Sequence, residues 1–162
     1  MSDCCGNPDQ ANHPKHCPAC SQVGKPVSSV TLHSLLVSEA LLGLSDESEF
    51  RFCASKTCPV VYFGNDGQTF EAGSLRVPVW QKTDDPTVPV CYCFGWSEAR
   101  IRQEHLQTGK TTAITSISAL VKAGECACEV NNPQGSCCLG NVSQVVKRIS
   151  QGSEIPGKGV SR

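Results

Sequence analysis

The sequence is short of several things, and each shortage closes off a class of protein. Its charges nearly balance, with a net charge of −1, so it lacks the basic stripe that a nucleic-acid surface needs. No apolar run approaches the roughly 20 residues that a membrane-spanning helix needs, and membrane insertion is not expected. Met1 to Lys15 has neither the basic start nor the apolar stretch of a secretory leader. The chain is therefore expected in the cytoplasm, where thiols stay reduced. Aromatic residues are scarce at 6%, while 14 Gly and 10 Pro make turns plentiful and helices short. No Ser-His-Asp set or carboxylate pair emerges from the spacing. His13 and His16 lie before or beside the first cysteine pair, and His105 falls on a helical stretch. Hydrolytic and transferase chemistry are therefore not expected.

What the chain has is cysteine, twelve in 162 residues. A disulfide framework would suit an exported protein; reduced thiols in a small cytoplasmic one read as metal ligands. A module of roughly 70–80 residues buries a thin core and needs a staple. Cys17 and Cys20 form a C-P-A-C knuckle, and Cys53 and Cys58 a second pair in C-A-S-K-T-C. No clear strand precedes C-P-A-C and no clean amphipathic helix follows it, which argues against a thioredoxin-type redox pair. Two thiol pairs some thirty residues apart fit a closed Cys4 zinc site of zinc-ribbon type. Phe50 to Phe52 and Val60 to Phe63 read as flanking strands, Asn65-Asp66-Gly67 as a hairpin turn, and Gln68 to Phe70 as the returning strand. Leu75 to Trp80 reads as another extended piece. Thr31 to Leu44 reads as one helix, with His33 a structural residue and not a ligand. Cys4 and Cys5 form an exposed pair with no assigned role, although a soft ion such as Cu(I) would suit them.

A polar stretch with two prolines, residues 83–89, reads as a linker, and the character changes after it. Ser97 is placed to N-cap a helix ending before Gly109, and Thr111 or Thr112 a second with Ile114, Ile117, Leu120 and Val121 as its apolar face. A third carries Val142, Val145, Val146 and Ile149. Six cysteines sit at the ends of these helices: Cys91 and Cys93, Cys126 and Cys128, Cys137 and Cys138. Thiolates near helix N-termini are stabilised by unpaired N–H groups, whether they hold zinc or an iron–sulfur cluster. One residue between paired cysteines is tighter than the usual zinc knuckle, but spacing leaves both metals open.

Two passages go further. C-Y-C-F-G-W-S-E-A-R-I, followed about thirty residues later by G-E-C-A-C-E-V-N-N-P-Q-G-S-C-C-L-G-N-V, resembles the iron–sulfur module of CopZ-type copper chaperones. That module is similar to bacterioferritin-associated ferredoxin (BFD). C-P-A-C and C-A-S-K-T-C-P-V-V-Y-F resemble the same family's zinc site. The resemblance covers roughly residues 15–150. It implies an α+β chain: a β-rich, zinc-ribbon-like module at 16–82 and a helical BFD-like [2Fe–2S] module at 90–152, with flexible tails at 1–15 and 153–162. It implies zinc on Cys17, Cys20, Cys53 and Cys58. It implies a [2Fe–2S] cluster on Cys91 and Cys93 with one cysteine from each later pair. The family's ten-residue step between its last two ligands selects Cys128 and Cys138, leaving Cys126 and Cys137 as spare thiols. The resemblance also implies one-electron transfer, with Cu(II) reduced to Cu(I). Copper ions, a separate copper-carrier protein or a ferritin-type protein would be the partners. An electron donor to a protein partner in iron release and a non-redox thiol store are the alternatives. The family's M-x-C-x-x-C copper loop is missing, since the only methionine is Met1, so copper handover in cis is not expected.

Overall fold

The computed structural model describes residues 15–151. Cys4, Cys5 and His13, and the sequence-predicted tails apart from Lys15, lie outside the described residues. The architecture is α+β: an antiparallel sheet in the first half, then a mostly helical second half. The sheet has four strands in chain order, β1 (Lys25–Val27), β2 (Phe50–Phe52), β3 (Val60–Gly64) and β4 (Thr69–Glu71). In β2 the alternation buries Phe50 and Phe52 and leaves Arg51 half-buried. β3 is buried along its whole length, as an apolar run covered on both faces should be. A register shift between Val60 and Tyr62 divides its side chains. Val61 and Tyr62 join the main apolar core, and Val60 and Phe63 join the thiols of the first half. The Asn65-Asp66-Gly67 turn closes β3 onto β4, with Gly67 at φ 93° and Gln68 N–H donating to Asp66 Oδ1 at 3.0 Å.

Two features of this half differ from the sequence reading. The first is β1, a three-residue edge strand whose Pro26 is tolerated because the outer side needs no ladder donor. The second is the helix expected over Thr31 to Leu44. It is two short helices, α1 (Ser29–Leu35) and α2 (Ser38–Leu42). Between them Leu36 is extended and bridges to Leu75. Val37 N–H donates to Ser74 O at 2.8 Å, and Arg76 N–H to Leu35 O at 2.7 Å. Pairing across the core thus replaces the helical bonds that local propensity favours. Leu75 keeps only this bridge, and the chain then enters a 3₁₀ turn at Trp80–Lys82.

The second half opens with a short hairpin, β5 (Pro89–Cys91) against β6 (Trp96–Ser97). Four helices follow: α3 (Glu98–Thr108), α4 (Ala113–Lys122), the short α5 (Cys128–Asn131) and α6 (Leu139–Ser150). Val90, Ile101, Ile117, Val142 and Val145 form its fully buried centre. Among the described residues no helix is long and apolar enough to cross a membrane. Ser97 caps α3, its Oγ accepting from Arg100 N–H at 3.2 Å, and Gly109 ends it at φ 82°. At α4 the threonine that serves the helix start is Thr111, whose Oγ1 accepts from Ala113 N–H at 3.2 Å, while the side chain of Thr112 makes no cap bond. The Glu104 carboxylate of α3 in turn accepts from Thr111 Oγ1 (2.6 Å), Thr112 N–H (2.7 Å) and Thr112 Oγ1 (2.8 Å). The buried face of α4 is Ala113 and Ile117, with Ile114 36% exposed.

These bonds hold the Glu104 carboxyl below its usual range, the Thr111 hydroxyl first among the causes. A depressed folded pKa gives stability that is present above the unfolded value and lost as pH falls through the folded one. Glu104→Gln should therefore lower the melting temperature at neutral pH. The deficit against wild type should narrow as pH falls from about 5 to about 3, near and below the free carboxyl value. Paired thermal melts across that range check it; a constant offset would mean that the charge plays no part.

Candidate metal centre

The sheet builds the first thiol group. Cys53 directly follows β2 and Cys58 lies just before β3, so the pairing of these strands brings the ends of the C-A-S-K-T-C loop together. Cys53 N–H donates to Val61 O at 2.8 Å, and Cys58 N–H to Ser55 O at 3.3 Å. Cys17 and Cys20 lie in a turn framed by the His16–Val23 bridge, where Cys17 N–H donates to Gln22 O at 2.8 Å. Ser21, at φ 66°, takes the left-handed conformation that reverses the chain.

The four sulfurs all lie within 4.8 Å of one another. Cys17 and Cys58 are 3.7 Å apart, Cys20 and Cys53 3.6 Å. A tetrahedral ion bound at about 2.3 Å sets its sulfurs about 3.8 Å apart, so the donor set fits one ion. Cys17, Cys53 and Cys58 are buried and Cys20 is partly exposed. Burial pushes the Cys53 thiol up to about 12 and Cys58 above its usual value, while the backbone at Gln22 draws Cys20 down to about 7. Buried thiolates without a countercharge are costly, and a bound cation removes that cost. Lys82 Nζ braces the loop from outside by donating to Ser55 O (2.6 Å) and Cys58 O (3.0 Å). No sequence pattern pointed to Lys82. His33 is turned to Ser29 O (2.8 Å) and faces Asp46.

The second thiol group has a different shape. Cys91 ends β5 and is fully buried, and Cys93 follows in the hairpin turn. Cys128 is the first residue of α5, and Cys138 stands at the N-cap of α6, 2% exposed. Cys93 and Cys128 sulfurs are 3.8 Å apart. The thiol of Cys138 neighbours those of Cys128 and Cys91, which lowers Cys91 to about 7 and Cys128 to about 6 and raises Cys138. Among the described residues, no second set of three or more donor atoms meets the mutual spacing of the first group. Ala127 N–H (3.2 Å) and Asn131 Nδ2 (3.6 Å) donate to Cys93 Sγ. Backbone N–H groups of Phe94 and Cys93 serve Cys91. Cys126 lies against Cys128, and Cys137 is exposed.

Residues 14–76, which include all four thiols of the first group, match the CopZ family described as "Zinc binding domain". Over 122 residues the chain is 34% identical to the copper chaperone CopZ of Archaeoglobus fulgidus, a stretch that is 75% of this chain and 57% of that protein. The chain thus spans little more than half of that relative's length. The X-ray structure of the Archaeoglobus fulgidus CopZ N-terminal domain superposes with a TM-score of 0.67 at 30% identity, covering 80% of this chain and 96% of that one. The chain belongs to the CopZ N-terminal domain family. Its Cys4 metal site is the first thiol group. The family match stops at Arg76, before Cys91, whereas the likeness to the CopZ N-terminal domain structure extends over 80% of this chain.

Proposed function

We propose that the chain is an electron-transfer module in copper handling, with Cys17, Cys20, Cys53 and Cys58 holding a structural zinc and Cys91, Cys93, Cys128 and Cys138 holding a [2Fe–2S] cluster. The observation that carries this reading is the spread of the second thiol group. Cys93 and Cys128 lie 3.8 Å apart and Cys138 neighbours Cys128 and Cys91, yet among the described residues no three donor atoms outside the first group share its mutual spacing. Four thiols spread beyond the reach of one tetrahedral ion suit two irons, whereas the first group suits a single ion.

When bound, such a cluster supplies one-electron chemistry. The chain's own groups prepare the site for it. Burial of Cys91 and Cys138 excludes water from one pair, while the partial exposure of Cys93 and Cys128 leaves the other near the surface. The Ala127 amide and the Asn131 side chain offset negative charge on Cys93, as N–H donors to sulfur do when they raise a reduction potential. Cu(II) is the proposed acceptor, since Cu(I) is the form that soft thiolates bind.

The test is protein prepared under nitrogen. It should contain iron and sulfide in equal amounts, each at twice the zinc, with visible absorbance that bleaches on reduction and returns when Cu(II) is added. Absence of both iron and sulfide would remove the electron-transfer reading and leave a thiol metal store. A cluster that Cu(II) does not reoxidise would move the acceptor to a protein partner.

A further inference from the structure

Two tyrosines connect the thiol groups. Tyr62 lies on β3, the strand that Cys58 leads into, and is fully buried. Its hydroxyl donates to Pro133 O at 2.6 Å, in the segment between Cys128 and Cys138. Burial raises its pKa, so it stays a donor. Beside it Thr31 of α1, also fully buried, donates through Oγ1 to Glu129 O at 2.7 Å. Gly135 completes the contact: at φ 71°, a Cβ there would meet Thr31 Oγ1 at 2.9 Å. The segment is thus seated directly on the first half.

The second connection reaches the other cysteine pair. Tyr92 stands between Cys91 and Cys93. Its hydroxyl donates to Pro78 O at 2.6 Å and accepts from Trp80 N–H at 2.9 Å. Trp80 opens the turn whose last residue, Lys82, grips the carbonyls of Ser55 and Cys58. Each cysteine segment of the second group is therefore held by one phenol, and each phenol leads back to the Cys53–Cys58 loop.

We propose that Tyr62 and Tyr92 are positioning residues that couple the two thiol groups, so that metal occupancy of the first sets the order of the second. The coupling stands on contacts in the chain; only the identity of the group it serves rests on the proposed function. The buried Pro133 carbonyl costs free energy locally when it loses its donor, and removing the Tyr92 hydroxyl takes away both its bond to Pro78 O and the acceptor of Trp80 N–H; in each case the segment so released opens more often.

The experiment uses the full chain as purified, with amide hydrogen exchange as the readout. In Tyr62→Phe, exchange across residues 128–138 should rise about tenfold, with β2 and β3 unchanged and zinc retained. In Tyr92→Phe the rise should fall on residues 91–95 instead. Chelating zinc from wild type should raise exchange in both segments. Where iron is present, either variant should also shift the midpoint potential, which a role in packing alone would leave in place. Unchanged exchange in both segments on zinc removal would overturn the coupling, as would unchanged exchange in both phenylalanine variants. Wild-type protein without iron would end the electron-transfer reading, while the exchange result would still decide the coupling.

Discussion

Cys53→Ser is expected to leave the first half without zinc and largely without its fold. Cys53 is fully buried, and its N–H bonds Val61 O at the point where β2 hands over to β3. Among the described residues, the apolar cluster around the thiols contains only Val60 and Phe63 as buried members besides the cysteines themselves, too little to hold the two knuckles together. Structural zinc sites supply about 10–16 kcal/mol of apparent binding free energy in small domains. That is comparable to the whole stability of an ordinary domain, about 5–15 kcal/mol. Zinc analysis with a far-UV circular dichroism melt tests the variant, and Cys137→Ser is the matched control because Cys137 is exposed. A Cys53→Ser protein that keeps its zinc and its melting temperature would mean that the four sulfurs are not a metal site.

The second large effect is expected within one pair of neighbours. If the proposed cluster is bound, Cys138→Ala should abolish its absorbance, and Cys137→Ala should preserve it. Adjacent residues at the start of a helix point in different directions, and here only Cys138 points inward, against Cys91 and Cys128. Losing the Cys138 sulfur also leaves a small void, which costs on the order of 1 kcal/mol. That cannot by itself empty a cluster site, so iron loss would report the missing ligand. Visible spectra with iron counts on both variants decide between them. The reverse pattern would assign the ligand to Cys137 and require the backbone at the head of α6 to turn over.

What was legible in the sequence was what neighbours along the chain decide. Ser97 and Gly109 bracket α3, Phe50 and Phe52 alternate about Arg51, and Asn65-Asp66-Gly67 turns β3 into β4, each through interactions that span a few residues. The C-P-A-C knuckle and the Cys53–Cys58 pair were legible for the same reason. What was not legible depended on partners distant in sequence. Leu36 leaves the helix because Leu75 is there to pair with it. Glu104 joins Thr111 at the start of α4 because the turn after Gly109 brings Thr111 and Thr112 back to its carboxylate. Lys82 reaches the Cys58 carbonyl only once the Trp80 turn is in place. Choosing between Cys137 and Cys138 belongs to this second kind. The residue types are identical, and only the packing of α6 on Val90 and Ile117 gives the two sulfurs different surroundings.

The arrangement of the first thiol group also bears on how the chain is made. Cys17, Cys20, Cys53 and Cys58 all precede Cys91, and the strands that bring them together are complete by β4. Chains emerge from the ribosome N-terminus first, and early parts fold first. A nascent chain therefore presents one finished tetrahedral set of thiolates while the later cysteines are still untranslated. The first ion to arrive there meets none of the six thiols from Cys91 onward, which appear after that choice has been made.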